Sequence, residues 1–509
     1  MRDARRGGGL CRRPGGRPAF SLPFQLPFSL PFSLPENLTS GVRLLRQGVP
    51  NSKIETREKP MDLGALSIFT AQRLVFRPGD TGYEDELAGF QTGFAQRPDV
   101  VFAASGTDDV VAAVSYAAAA GLPIGAQATG HGLPDASAGG VLISTRRMDE
   151  VVVDPAARTA RVGAGVRWGQ VVAAAAEHGL APLNGSAPSV GAVSYTLGGG
   201  LGVLAREFGY AADHVRSLEL VTADGAVRQV TAESEPELFW GLLGGGANLG
   251  VVTALEIGLL PVTRLYGGAL TFDGREVDPA AVLRAYTAWT ETVPDTVTSS
   301  VAALVYPDLP MLPEALRGSY LVTVRVAYTG SAEEGERLVA PLRAIGPAHE
   351  DSLRELPYTE SHTIHSDPDF PHAYYGENRM LDGLDTAAME RLLALTGPAA
   401  DRMHVVQLNH LGGALARPAA NAVPHRDARW LLRILSPLDD STDRASLREF
   451  YEEVLTGVRR HVVGRSLNFT FASGDRTEGL YDDETRKRLA GLKATYDPAN
   501  LFRRNYDVR

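Results

Sequence analysis

The sequence predicts an α+β protein made of two unlike parts. Three observations carry that expectation. From Arg97 to Val262, short apolar strands alternate with segments of helical period. From about Leu265 to Thr456 the texture becomes an antiparallel α+β pattern, in which strands such as Leu321–Tyr328 and Val405–Asn409 alternate with amphipathic helices such as 277–289 and 332–345. Glycine is concentrated as well: 23 of the 54 glycines fall between Gly121 and Gly250, where backbone has to approach something closely.

Taken in order, the first 60 residues read as a disordered tail. Arg2, Arg5, Arg6, Arg12, Arg13 and Arg17 crowd its start, and a Phe-Ser-Leu-Pro repeat runs from Phe20 to Pro35. Proline at 23, 27, 31 and 35 forbids the helical core of a secretory leader, and Met61 reads as the natural start. Thr107 is expected to cap a helix whose first turn holds Asp108 and Asp109 and which Gly121 ends. Pro123–Gln127 is a buried strand, followed by the loop Ala128-Thr129-Gly130-His131-Gly132. Val151–Asp154 with Thr159–Val162 forms a hairpin, as do Leu218–Thr222 and Val227–Thr231 around Asp224-Gly225. Residues 168–178 form an alanine-rich helix, and Val251–Leu259 a further strand. Aromatics and histidines gather in Tyr358–Arg379, read as a loop.

Composition narrows the function. With 509 residues, 44% hydrophobic and 22% charged, the chain has length for two to four domains at roughly 100–200 residues each. A formal charge of −10 excludes a general nucleic-acid binder. A single cysteine, Cys11, excludes a disulfide scaffold, a thiolate zinc site and an iron–sulfur cluster. No apolar run of about 20 residues is present, so no membrane-spanning helix is expected. His131 lacks metal-ligand spacing, and no metal is expected. Three glycine clusters, at 128–132, 198–202 and 244–250, invite an anion-cradle reading, and none fits the dinucleotide fingerprint.

Together these motifs resemble one family. Ala128–Gly132 is similar to the histidine loop of the vanillyl-alcohol oxidase/PCMH superfamily. Pro188-Ser189-Val190-Gly191 through Gly198-Gly199-Gly200-Leu201-Gly202 is similar to its second flavin-contact segment. Residues 237–240 ahead of Gly244–Gly250 and Val251-Val252, then Tyr496–Phe502 with Asn505, complete the set. From about Met61 the chain resembles berberine-bridge-enzyme-like FAD-linked oxidases of bacterial secondary metabolism. The resemblance implies a PCMH-type two-part FAD-binding domain over 61–262, an antiparallel-sheet substrate domain with helices on one face over 263–456, and a segment over 457–509 returning to the FAD domain. It implies FAD bound by Ala128, Thr129, Gly130, His131, Gly132, Pro188, Ser189, Val190, Gly191, Gly198, Gly199, Gly202, Val252, Asn500 and Asn505. The flavin 8α carbon would be bonded by His131 alone, because the second tether's position is Ala187.

The departures from the family bear on mechanism. Gln127 stands where relatives carry arginine, Ser466 where they carry tyrosine, and Gln407 and Asn409 are neutral on a strand that often carries a carboxylate. Both usual places for a proton-abstracting base are therefore empty. Tyr195 is either that base or a packing residue. Asn468 either orients a substrate oxygen or caps the last strand. Tyr375 and Glu377 either line the site or sit on a surface loop, with Tyr374 and His425 beside them as secondary candidates. The expected partners are a small-molecule substrate and dioxygen, without nucleic acid or membrane, in a cytoplasmic monomer or homodimer. Three functions follow: an oxidase, a flavin-dependent oxygenase or cyclisation catalyst on a polyketide-like substrate, or an inactive flavin-fold binding protein.

Overall fold

The structure is a computed structural model that describes residues 74–509 apart from 133–136, 309, 311, 315, 440–441 and 472–476. The expectations for residues 1–60 and Cys11 lie outside the described residues. Among these, no helix is long and apolar enough to cross a membrane.

The fold is α+β. Val100–Ala103, Val141–Ser144 and Ile124–Gln127 form a parallel sheet, with Val75–Phe76 added antiparallel at its edge. Helix Thr107–Ala120 covers this sheet through Val110, Ala113, Val114 and Ala117. The helix starts one residue earlier than expected, at Thr107 itself. Gly106 occupies the cap position, and the Thr107 hydroxyl instead donates to Glu219 at 2.6 Å. Gly121 ends the helix at φ +66°, in the left-handed region expected of it.

A five-stranded antiparallel sheet follows, in the order Val227–Thr231, Val215–Val221, Val251–Gly258, Thr159–Gly163, Val151–Asp154. Both predicted hairpins lie at its two edges. The chain's last residues close back on the first sheet. Asn505 brackets Ala126, accepting from its N–H at 3.3 Å and donating to its carbonyl at 3.1 Å.

The third sheet has nine strands, antiparallel throughout. Its centre runs Tyr320–Tyr328, Val297–Val305, Val405–His410, Trp430–Pro437, Tyr374–Leu381. Helices Pro279–Thr290, Ala332–Arg343, Thr386–Thr396 and Arg444–Leu455 cover one face, burying Tyr286, Leu342, Leu392 and Tyr451 against it. Asp278, Ser331, Asp385 and Asp443 start these helices with side-chain acceptors for their first free N–H groups. Strand alternation then decides everything about the opposite face. Val301, Val324, Leu408 and Leu432 point to the helices. Ser300, Arg325, Asn409 and Arg433 point the other way.

Candidate active site

His131 stands at the end of the loop that follows strand Ile124–Gln127. Phe90 stacks on its ring, with centroids 3.9 Å apart and planes within 11°. Its Nδ1 shares a hydrogen bond with the Thr129 hydroxyl at 2.8 Å, and its Nε2 shares one with the Ser189 hydroxyl at 3.2 Å. Burial, helped by the charge of Arg167, lowers its pKa from 6.5 to about 4. The imidazole is therefore neutral, with one ring nitrogen donating to a neighbouring hydroxyl and the other offering its lone pair to the second hydroxyl instead of carrying a proton. The loop is held from behind. Phe90 and Gln91 donate their N–H groups to the Thr129 and Gly130 carbonyls, and the Tyr374 hydroxyl donates to the His131 carbonyl. Gly130 has φ +70°, and a Cβ there would lie 2.7 Å from the Gly89 Cα. Among the described residues, the N–H groups of Gly130, His131 and Gly132 meet no acceptor, which leaves three consecutive donors available to an anion.

Ser189 belongs to the second loop, which leads into helix Ala192–Leu197 and the glycines 198–202. Asn468 clamps that turn. Its Oδ1 accepts from the Gly200 N–H at 2.9 Å, and its Nδ2 donates to the Tyr195 carbonyl at 3.0 Å. A Cβ on Gly198 would meet the Asn468 amide at 2.7 Å, so the glycine there is required by the clamp. The third glycine cluster is filled by protein instead. A Cβ on Gly246 would overlap the Tyr506 hydroxyl, and Gly244 is packed on the Ala422–Val423 backbone.

A cavity lies between the turn at Leu201–Val203 and the open face of the nine-stranded sheet. Register places a polar band across that face. Ser300 pairs with both Arg325 and Asn409, and Gln407 pairs with both Ala302 and Arg433. His365 adds an imidazole to the wall; burial and the charge of Arg325 lower its pKa to about 3. The Asp367 carboxylate accepts from the Ser186 hydroxyl, and its charge reaches Arg325, Arg433 and His131.

Known proteins share sequence and fold with this chain. Residues 98–231 match the family described as FAD binding domain. The chain is 29% identical over 461 residues to (R)-6-hydroxynicotine oxidase of Paenarthrobacter nicotinovorans, covering 85% of this chain and 96% of the relative. Among solved structures, 6-hydroxy-D-nicotine oxidase from Arthrobacter nicotinovorans superposes with a TM-score of 0.75 at 26% identity, over 86% of this chain and 97% of that one. Wild-type Physcomitrella patens BBE-like 1 superposes at 0.73 with 18% identity, over 86% and 96%, a likeness of fold.

The protein is an FAD-dependent oxidoreductase.

In this oxidoreductase the residues present fit FAD. The run of free N–H groups at 130–132 suits a diphosphate, and on the preceding strand the buried Gln127 Oε1 has no partner while its Nε2 donates to the Leu87 carbonyl. Ala187 offers no thiol. Pro188 to Gly191 are brought to His131 through Ser189, and Gly198, Gly199 and Gly202 border the Asn468 clamp and the cavity. Val252 is buried within its strand, paired with Leu220. Asn500 and Asn505 are committed to protein: Asn500 donates to Asp507 at 2.7 Å and Asn505 holds Ala126.

Several expected catalytic residues lie elsewhere. Residues 374–381 form a strand, not a loop, and its alternation carries Tyr375 and Glu377 to the helix-covered side. There Tyr375 stacks on Tyr451 and donates to Glu377 at 3.0 Å, while Glu377 pairs with Arg379 and Arg465. The same alternation turns Tyr374 toward His131. Tyr195 is in the core, edge-on to Trp168, its hydroxyl buried without a partner and its pKa pushed well up by burial. A phenol so placed is unfit to take a proton at neutral pH. Asn468 spends its amide on the glycine turn. His425 donates its Nε2–H to the Gly479 and Leu480 carbonyls, remote from His131 in its contacts. Arg325, Arg433 and His365 were missed by sequence reasoning. The available signal was an arginine interrupting an apolar strand at an alternating position.

Proposed function

We propose that the protein oxidises a small organic molecule with dioxygen as electron acceptor, and that its FAD is held by one covalent bond, at His131. The carrying observation is the neutral His131 imidazole, hydrogen-bonded by Thr129 and Ser189 beside free backbone N–H groups. A neutral ring nitrogen is what bonding to the flavin 8α carbon requires. Bound there, FAD supplies the two-electron acceptor for the substrate. On this reading residues 61–262 and 457–509 hold the cofactor, and 263–456 hold the substrate. Gly130–Gly132 would bind the diphosphate and Asn468 would fix the glycine turn beneath the substrate. Ser300, Gln407 and Asn409 would orient the substrate from the sheet. The similarity to (R)-6-hydroxynicotine oxidase supports oxidase chemistry. Acid-precipitated protein should stay yellow, and His131→Ala should release the colour; colourless wild-type precipitate would overturn the covalent bond. Hydrogen peroxide equal to substrate consumed distinguishes oxidase from oxygenase turnover.

A further inference from the structure

We propose that the substrate carries a carboxylate, bound as the anion between Arg325 and Arg433 on the sheet face of the cavity. The inference rests on the reading of this cavity as the substrate site and adds the chemical class that enters it.

Both arginines line the cavity, together with Ser300, Gln407 and Asn409. Arg325 is one cross-strand step from Ser300, and Ser300 one step from Asn409. Arg433 is one step from Gln407, whose Oε1 lies 3.5 Å from its Nη1. Phe469 lies against the Arg433 guanidinium, with 4.0 Å from its carbon to the ring centroid, and fixes its plane. The polar atoms here are starved of partners. Arg325 Nε and Nη1, Arg433 Nε, Ser300 Oγ and Asn409 Oδ1 are all buried without a hydrogen bond. Among the described residues, neither guanidinium forms an ion pair with a carboxylate. Buried guanidinium N–H groups left unpaired are costly, and proteins keep them where a ligand completes them. Burial also lowers the pKa of Arg433 to about 10, still charged at neutral pH.

The charge balance sets the ligand's valence. Arg325 and Arg433 contribute two positive charges. Asp367, held by Ser186, contributes one negative charge, and burial keeps His365, Tyr306 and Tyr374 neutral. One positive charge remains, which a monoanion cancels. A carboxylate has the planar pair of acceptors that guanidinium forks match. No redox step is added: the anion positions the substrate.

The test is calorimetric titration of the flavin-loaded protein with benzoate and with benzamide, its neutral analogue. Benzoate should bind at least about tenfold more tightly than benzamide, the worth of one charge-assisted contact. Arg325→Gln and Arg433→Gln should each weaken benzoate by about tenfold or more, and Arg325→Lys should restore part of it. Circular dichroism on each variant establishes that it is folded. Equal binding of acid and amide, absence of benzoate binding, or unchanged affinity in both glutamine variants would overturn the proposal. Heat of binding requires neither turnover nor dioxygen, so this failure is distinct from a failure of the oxidase reading, which the yellow precipitate and peroxide report.

Discussion

The Tyr374 hydroxyl donates to the His131 carbonyl oxygen at 3.0 Å, across 243 residues of sequence. A strand of the nine-stranded sheet thereby holds the loop that presents the imidazole. Tyr374 is braced in turn: Phe471 meets its ring edge-on at 5.2 Å, and His372 sits 5.0 Å away. The loop's orientation is thus a property of both parts of the fold.

Removing that bond has a bounded effect. Tyr374→Phe keeps the ring packing and deletes one hydrogen bond, worth about 0.5–1.5 kcal/mol. The variant should fold, unfold at slightly lower denaturant concentration, and retain less flavin after acid precipitation. Wild-type flavin retention and wild-type stability together would show that the tie has no role in presenting His131.

The state of His131 gives a pH prediction. Its pKa in the folded apoprotein, before any bond to flavin, is about 4, below the ordinary 6.5. The unfolded chain therefore binds the extra proton between those values. Stability from this group is fully present above about 6.5 and is lost as pH falls through about 4. The same neutrality should make flavin attachment to apoprotein independent of pH from about 8 down to about 5.5. An attachment rate that halves near pH 6.5 would mean the imidazole titrates normally, contrary to its burial.

Tyr195→Phe discriminates between packing and proton transfer. The hydroxyl is buried with no partner, so its loss leaves nothing unsatisfied. Turnover should change by less than about tenfold, and stability should hold or rise by a few tenths of a kcal/mol. Single-turnover flavin reduction measures the step directly. A fall of about 10²–10⁴-fold, the usual worth of general acid–base catalysis, would make Tyr195 the base after all.

The loops are legible in the sequence, and the sheet face is less so. His131, Ser189 and the glycine turn follow one another along short stretches, where residue type and spacing carry the information. The polar band does not. Arg325, Ser300, Asn409 and Arg433 come from four strands, and only their register brings them together. Tyr375 and Glu377 show the same limit from the other side. A single residue of phase in strand 374–381 separates the helix-covered face from the His131 face, and aromatic density alone does not set that phase. Asn468 is legible as a polar residue near the C-terminus, but its partner at Gly200 is 268 residues away.

A buried ion pair anchors the C-terminal residues. The Lys493 ammonium is fully buried and donates to the Asn248 carbonyl at 2.7 Å, the Asp497 carboxylate at 2.8 Å and the Phe502 carbonyl at 2.9 Å. Asp497 also accepts from the Leu501 and Phe502 N–H groups. The chain then runs to Asn505, which brackets Ala126 in the strand leading to His131. Lys493→Met leaves Asp497 buried beside two amides but without its cation. Breaking one side of such a pair costs about 3–5 kcal/mol. The variant should unfold at markedly lower temperature and incorporate less flavin. Lys493→Met with Asp497→Asn removes both charges and should recover part of the loss, because no uncompensated ion remains. A single variant as stable as wild type would show that the pair contributes nothing to anchoring this segment, and an unrescued double variant would assign the loss to packing instead of charge.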